Sequence, residues 1–256
     1  MNGSIDSANV LINQFIKLKI NINEKDINRM TAFQYACING HSNLVDFLIN
    51  KYTELKINVS AELNAKCERG RTVFQYACMY GHSNMVQYFV QKSAELKINI
   101  NSKDVHGRTG FHLACMNGHS KIVEILVQES VDMSIELNIQ DVCGRTGIIW
   151  ACVHGHSKIV NTLIRMCSEY NIDLKMKDML DSTLFHYTCW FGKKSTIEAI
   201  VENLELCQID LAAKDQFGRT GFQIAVQCGR SEIASLIEKR MPSISICNHL
   251  ESFEES

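Results

Sequence analysis

The feature that most constrains this chain is a six-fold internal repeat. A seven-residue segment headed by threonine recurs as TAFQYAC, TVFQYAC, TGFHLAC, TGIIWAC, TLFHYTC and TGFQIAV. The threonines are separated by 41, 37, 37, 37 and 37 residues, and they are Thr31, Thr72, Thr109, Thr146, Thr183 and Thr220. A period of this length is typical of proteins that stack similar units side by side, so the repeat limits the possible architectures to a small group.

Each unit predicts a turn followed by two helices. In the third unit, Phe111, Ala114 and Cys115 have the i, i+3, i+4 spacing of one helix face, and Gly118 ends that helix. Apolar pairs recur four residues apart within residues 122–127, which predicts a second helix. The segment Asn-x-Lys/Gln-Asp-x-x-Gly-Arg-Thr between units has the composition of a turn. Such a unit cannot bury its apolar faces alone, so the units are expected to stack.

These motifs resemble the ankyrin repeat family. The shared features are the Asp-x-x-Gly-x-Thr turn, the x-Leu-His-x-Ala stretch, the Gly-His pair and the Ile-Val helix, and they recur in phase over roughly residues 21–240. The resemblance implies an all-α fold, an ankyrin-type solenoid of stacked helix-turn-helix units with short extended turns between the units.

The chain divides into three predicted segments. Residues 1–20 fit only a second helix and are expected to form an N-terminal half-repeat cap. Residues 21–241 are expected to form the solenoid of six units, and the last helix is polar on its outer face, as a terminal unit requires. Residues 242–256 begin with the only proline of the chain and are expected to form a flexible acidic tail.

Two motif positions depart from the family pattern. The proline that usually follows the threonine is absent, and glycine there is expected to loosen each helix start by up to about 1 kcal/mol; the six residues are Ala32, Val73, Gly110, Gly147, Leu184 and Gly221. The motif histidine is present only as His112 and His186, so a uniform hydrogen-bond ladder at that position is not expected.

The length and the turns of the units also depart from the pattern. The period exceeds the roughly 33 residues of the family by about four, inserted after the second helix. Either a longer second helix or an added turn accommodates them, because one helical turn needs about 3.6 residues. Arg29 and Asp181 stand where a turn glycine is expected, which predicts softer first and fifth units.

Composition disfavours several classes of partner and location. The formal net charge is −2, so no global basic field exists to hold nucleic acid or an anionic membrane. The first residues lack a basic segment followed by an apolar one, and no run of about 18 apolar residues occurs, so neither export nor membrane spanning is expected. Eleven cysteines, an odd number, suit a reducing compartment. We therefore expect a cytoplasmic protein, with the nucleus as the alternative.

Cysteine and histidine recur in the repeat, but their spacing does not match that of a catalytic or metal-binding motif. The repeated cysteines, such as Cys115 and Cys152, occupy the same place in successive units, roughly 10 Å apart for packed layers, so they cannot share one zinc ion. The Gly-His pairs, such as that of His119, fall at the turn between two helices. No phosphate loop or metalloprotease motif occurs. We expect no enzyme activity, no metal and no cofactor; a Cys/His-dependent enzyme or metal-binding protein is the alternative.

Arginine precedes the threonine in four units and is expected to form a row along the turns. Aspartate lies four residues before three of these arginines, so pairing across the turn is expected; the residues are Arg71, Arg108, Arg145 and Arg219, with Asp104, Asp141 and Asp215. The alternative is a partly neutralised basic row that binds an acidic partner.

The family resemblance points to a groove between the turn tips and the first helices as the ligand-facing surface. Aromatic residues and methionine, which are enriched at the centres of interfaces, recur there. The candidate partner-binding residues are Met79, Tyr80, Met116, Asn117, Val153, His154, Trp190 and Phe191 on the helices and Val105, His106, Met179, Leu180 and Phe217 at the tips. The alternative is that these side chains pack on the adjoining unit as ordinary core.

The sequence thus predicts a monomeric, non-catalytic module that binds another protein through this groove. A sequestering inhibitor of a signalling or transcription factor and an adaptor both fit. A purely structural spacer, which binds nothing, remains a further alternative.

Overall fold

The computed structural model describes residues 5–18 and 21–240, and the predicted acidic tail lies outside the described residues. The regular elements within these ranges are all helices, without a β-strand. They are α1 (Ile5–Leu18), α2 (Ala32–Ile38), α3 (Ser42–Glu54), α4 (Val59–Asn64), α5 (Val73–Tyr80), α6 (Ser83–Gln91), α7 (Ser93–Leu96), α8 (Gly110–Met116), α9 (Ser120–Gln128), α10 (Gly147–His154), α11 (Ser157–Met166), α12 (Leu184–Phe191), α13 (Lys194–Val201), α14 (Leu204–Cys207), α15 (Gly221–Gln227) and α16 (Ser231–Arg240).

The helices pack as two parallel rows. The first helix of each unit contacts the first helices of its neighbours, in the order α2, α5, α8, α10, α12 and α15. The second helices α6, α9, α11, α13 and α16 form the other row, and α1 packs on α3. Residues such as Phe74, Phe89, Leu126 and Phe185 are completely buried between the rows. The predicted all-α stack of helix-turn-helix units is confirmed.

The repeat threonine occupies the N-cap position of every first helix. The Thr72 hydroxyl accepts a hydrogen bond from the Gln75 backbone N–H, and the Gln75 side chain accepts one from the Thr72 backbone N–H. This reciprocal capping box satisfies two backbone donors that the first turn of a helix leaves unpaired.

The residue at the family's histidine position joins most units to the next, although the ladder is not uniform, as expected. His112 accepts a backbone N–H at Nδ1, so its Nε2 carries the proton and donates to the Arg145 carbonyl at 3.1 Å. The Gln75 amide makes the equivalent bond to the Arg108 carbonyl at 2.7 Å, because glutamine offers the same acceptor and donor. The ladder is interrupted at Ile149, and the buried Thr146 hydroxyl has no partner among the described residues.

The two structures predicted for the extra residues, a longer second helix and an added turn, both occur, in different units. Helix α3 is extended to thirteen residues in the first unit, whereas the third unit forms turns after Gln128. In both, a residue in the left-handed region ends the segment, Lys56 with φ 57° and Ser134 with φ 52°. The N–H of the following isoleucine then reaches back to a carbonyl five residues earlier, as in a Schellman motif.

An asparagine in each of three inter-unit segments forms hydrogen bonds to the backbone at this left-handed residue. The Asn101 amide donates to the Ser134 carbonyl at 2.8 Å, and its oxygen accepts the Glu136 N–H at 3.0 Å. Asn64 and Asn138 make the same pair of bonds to their following units. Where both the ladder residue and the asparagine are present, consecutive units are therefore tied by side-chain hydrogen bonds at both ends of the helix pair.

The glycines that replace the family's proline are closely packed. A Cβ atom on Gly110 would lie 2.8 Å from the Phe74 ring, and one on Gly221 would lie 2.6 Å from the Phe185 ring. The glycines therefore admit the aromatic side chain of the preceding unit.

Candidate partner-binding surface

The turn tips and the C-terminal ends of the first helices carry all the residues that the sequence singled out. Three of the thirteen are half-buried, namely Met79, Met116 and Val153. The other ten are exposed, namely Tyr80, Asn117, His154, Trp190, Phe191, Val105, His106, Met179, Leu180 and Phe217. The two methionines do not project freely, because the Arg71 guanidinium lies 3.1 Å from the Met79 sulfur and Arg108 lies 4.0 Å from that of Met116.

An aromatic cluster covers the end of α12. The Trp190 and Phe191 rings are stacked with centroids 6.3 Å apart, and each lies about as far from the Tyr187 ring, at 6.5 and 6.4 Å. Trp190 is 42 % exposed and Phe191 is 38 % exposed, although each is adjacent to the other. Exposed, mutually supported rings of this kind present apolar area at a low cost in side-chain entropy.

A second run of rings follows the end of α10. The Trp150 ring lies 5.8 Å from the His154 ring, which lies 6.1 Å from that of His156. Partial desolvation of the ring, with a smaller contribution from His156, lowers the pKa of His154. His156 is engaged elsewhere, because its Nε2 lies 3.0 Å from the Met116 carbonyl of the preceding unit.

A cleft of about 230 Å³ lies where the first two units meet. Tyr35, Tyr76 and Tyr80 line it together with the tip residues Glu68 and Arg69. Tyr76 and Tyr80 are stacked with centroids 5.9 Å apart. This cleft provides a further group of aromatic side chains in the N-terminal part of the stack.

The predicted pairing of aspartate and arginine across the turn occurs in two of the three units. Asp104 is buried and accepts from Arg108 of its own turn at 3.0 Å and from Arg71 of the preceding unit at 3.2 Å. Burial acts to raise the pKa of Asp104, but the hydrogen bonds from the Arg108 backbone and side chain outweigh it and hold the pKa below its ordinary value. Arg219 pairs with Asp215 at 2.8 Å in the same way.

The third predicted pair, Asp141 with Arg145, does not form a side-chain ion pair, and that part of the expectation is wrong. The Trp150 indole N–H donates to the Asp141 carboxylate at 2.9 Å and takes the place of the guanidinium. Arg145 instead donates from Nε to the Tyr187 hydroxyl of the next unit at 3.0 Å.

Sequence reasoning missed the residue four positions after the threonine. Tyr35, Trp150 and Tyr187 occupy it, and each donates to the aspartate nine residues earlier in its own unit, at 2.7, 2.9 and 2.6 Å. The signal was present in the sequence as an aspartate followed at nine residues by a tyrosine or tryptophan. Where this position is aliphatic, as at Leu113, the turn arginine pairs with the carboxylate of the turn aspartate.

The repeated cysteines are completely buried in the first helices. Burial raises the pKa of the Cys152 thiol to about 12 and raises that of Cys115 well above its ordinary value. Such thiols are protonated near pH 7 and are poor nucleophiles and poor metal ligands. No group of three or more His, Cys, Asp or Glu side chains suited to a metal occurs among residues 5–18 and 21–240.

The stack of helix pairs agrees with the comparison with known families. A family model described as ankyrin repeats matches the chain in three copies, over residues 1–104 and 95–178. The chain belongs to the ankyrin repeat family. A comparison with curated proteins found no match.

Ankyrin repeats are generally protein–protein interaction modules and are generally non-catalytic. Beyond the matched residues, the helix pairs that begin at Thr183 and Thr220 continue the ankyrin stack and contact the preceding units. The Trp190 and Phe191 cluster belongs to this continuation. None of the helices in the described part of the chain combines the length and apolar character needed to cross a bilayer.

Proposed function

We propose that this ankyrin repeat protein binds a partner protein through the surface formed by its turn tips and the ends of its first helices, and that it performs no chemistry. The exposed stack of Trp190 and Phe191 carries the proposal. Exposed apolar patches on a folded protein mark sites that bind another molecule, and tryptophan is among the residues most enriched at binding hot spots.

The proposed surface comprises the thirteen residues described above and is uneven along the stack. Met179 and Leu180 at the tip of the fifth unit are further exposed apolar side chains of the same unit as Trp190 and Phe191. Met116, one of the residues that the sequence favoured as an anchor, is half-buried beneath Arg108, so we assign most of the binding energy to the fifth unit. Tyr80 and the cleft beside it provide a second, smaller contact region.

Two roles fit this proposal equally, sequestering a signalling or transcription factor and acting as an adaptor. We propose a monomer, because one chain carries the whole surface. A cytoplasmic location, with the nucleus as the alternative, agrees with the nine cysteines whose described side chains are free.

Two rival functions make different predictions. A Cys/His-dependent enzyme or metal-binding protein needs reactive thiols, whereas burial raises the pKa of Cys115 and Cys152. A structural spacer predicts that the exposed aromatic surface has no effect on any association.

The test compares two double variants in affinity purification from the native cell. Trp190→Ser with Phe191→Ser removes the proposed anchors, and Val131→Ser with Leu206→Ser removes similarly exposed apolar side chains outside this surface. We expect the first variant to lose its associated proteins by about tenfold or more and the second to keep them. Retention of every associated protein by the first variant, with folding confirmed by circular dichroism, contradicts the proposed function.

A further inference from the structure

Arg145 is placed differently from the other three arginines of the turns. Arg71, Arg108 and Arg219 each contact a buried aspartate at 3.2 Å or less. The Arg145 side chain contacts no carboxylate within residues 5–18 and 21–240, and its one hydrogen bond there goes from Nε to the Tyr187 hydroxyl.

The neighbouring aromatic donors account for this difference. Asp141 accepts from the Trp150 indole, and Asp178 accepts from the Tyr187 hydroxyl at 2.6 Å. Their other oxygens accept backbone N–H groups of the two turns. The Tyr187 hydroxyl therefore lies between Arg145 and Asp178, and the guanidinium interacts with that carboxylate only across a neutral group.

Two rings frame the Arg145 guanidinium. Its central carbon lies 5.0 Å from the Trp150 ring centroid and 5.2 Å from that of Tyr187. Such contacts hold the planar group in place and displace part of its hydration. The two terminal nitrogens have no hydrogen-bond partner in the described part of the chain, so the half-buried side chain retains a fixed, unused pair of charged donors.

Exposed apolar side chains lie in the same two units as this cation. Trp190 and Phe191 stack beyond Tyr187, and at the tips Met179 is 71 % exposed, with Val142 also exposed. A ligand that satisfies the site must therefore combine one negative charge with apolar groups on either side of it.

We propose that this site binds an extended segment of the partner protein in which an Asp or Glu side chain pairs with Arg145 and apolar side chains pack on Trp190 and Met179. The inference rests on the proposed function and adds the chemistry of the partner. A carboxylate matches the two parallel donors of a guanidinium. One framed arginine suits a single carboxylate, whereas recognition of phosphorylated segments relies on clusters of arginine.

The test uses peptides as the probe. Twelve-residue peptides are selected on the full chain from a random display library, and the best binder is synthesised with its acidic residues intact and with each replaced by the corresponding amide. Both peptides are titrated by fluorescence anisotropy against the native protein, Arg145→Gln, the double variant Trp190→Ser with Phe191→Ser, and Lys158→Gln. The last variant removes an exposed positive charge from the second-helix row and serves as the charge-matched control.

The selected peptides should combine Asp or Glu with aromatic or aliphatic residues. We expect the amide peptide to bind the native protein about tenfold more weakly or worse, and Arg145→Gln to weaken the acidic peptide similarly. The amide peptide should not distinguish Arg145→Gln from the native protein, and Lys158→Gln should change neither affinity by more than about twofold. Arg145→Lys, which keeps the charge but loses the planar fork, should also weaken binding if Arg145→Gln fails to fold.

Several results overturn the inference. Selection of peptides without acidic residues, failure to select any peptide, or tighter binding of a phosphoserine version each contradicts it. Peptides whose binding depends on Trp190 and Phe191 but not on Arg145 contradict the inference and remain consistent with the proposed function. Peptides that bind regardless of Trp190 and Phe191 count against the proposed function at this surface as well.

Discussion

A Cβ atom placed on Gly147 would lie 2.6 Å from the Phe111 ring of the preceding unit. Gly147 is the first residue of α10, where alanine is the better helix former by about 1 kcal/mol. The contact explains why this helix starts with glycine, and it reverses the expected effect of an alanine there.

Gly147→Ala is therefore expected to destabilise the protein by about 1 to 3 kcal/mol, because the Phe111 ring must shift within a packed core. Urea unfolding followed by circular dichroism measures the change. Phe111→Leu provides the control, since in its presence Gly147→Ala should cost much less. An equal cost in both backgrounds would contradict the role of the ring.

Two threonine caps should differ in their contribution to stability. The Thr109 hydroxyl lies 2.9 Å from His112 Nδ1, whereas the buried Thr146 hydroxyl has no partner in the described part of the chain. Thr109→Val should cost about 1 to 2 kcal/mol, and Thr146→Val should be neutral or stabilising. Thermal unfolding of the two isosteric variants makes the comparison, and a similar loss for both would show that the hydroxyls are equivalent.

Acidification should destabilise the stack through two histidines. Burial lowers the pKa of His112 and of His186 below the ordinary value of about 6.5. As the pH falls below about 6.5, the unfolded chain binds protons before the folded chain does, so stability present above that pH is lost towards the folded-state pKa.

Replacing both histidines with glutamine should flatten this dependence, because Gln75 already makes the same bonds in the second unit. Urea unfolding between pH 7.5 and 5 of the native protein and of His112→Gln with His186→Gln measures the difference. Gln75→His supplies the opposite control and should steepen the loss of stability. If the free energy of unfolding changed equally with pH in all three proteins, the two buried histidines would be excluded as the source of the pH dependence.

The tip of the fifth unit stores backbone strain that glycine would relieve. Asp181 has a φ of 56° at the position that Gly144 occupies in the fourth unit with a φ of 78°. Asp181→Gly should stabilise the protein by up to about 1 kcal/mol, since only glycine adopts this region without a steric cost. The reciprocal Gly144→Asp should destabilise it, and a melting temperature that fell for Asp181→Gly would contradict the strain.

The sequence was sufficient to predict the architecture because the features that define each repeat act within a single unit. The threonine cap, the helix-ending glycine and the apolar spacing each operate within one unit, and six copies in phase leave few other folds. The candidate surface positions came from the resemblance to the ankyrin repeat family, whereas the period of 37 residues shows only which positions are equivalent in successive units.

The contacts between units were less predictable because several hydrogen-bond donors compete for the same acceptor. Gln75 replaces a histidine through its acceptor and donor atoms, which a comparison of residue types does not reveal. Arg145 loses Asp141 to the Trp150 indole, and only the geometry of the two turns decides which donor is nearer. The exposure of Trp190 and Phe191 likewise depends on the unit that follows them.

Site-specific photo-cross-linking tests the central claim most directly. A photoreactive phenylalanine analogue is incorporated at the position of Met179, in the proposed surface, or of Val131, which is 72 % exposed and lies after a second helix, and the cells are irradiated. The account predicts adducts with another protein from position 179 that disappear when Trp190 and Phe191 are changed to serine, and none from position 131. Adducts from position 131 alone, or adducts from position 179 that persist in the serine variant, would contradict it.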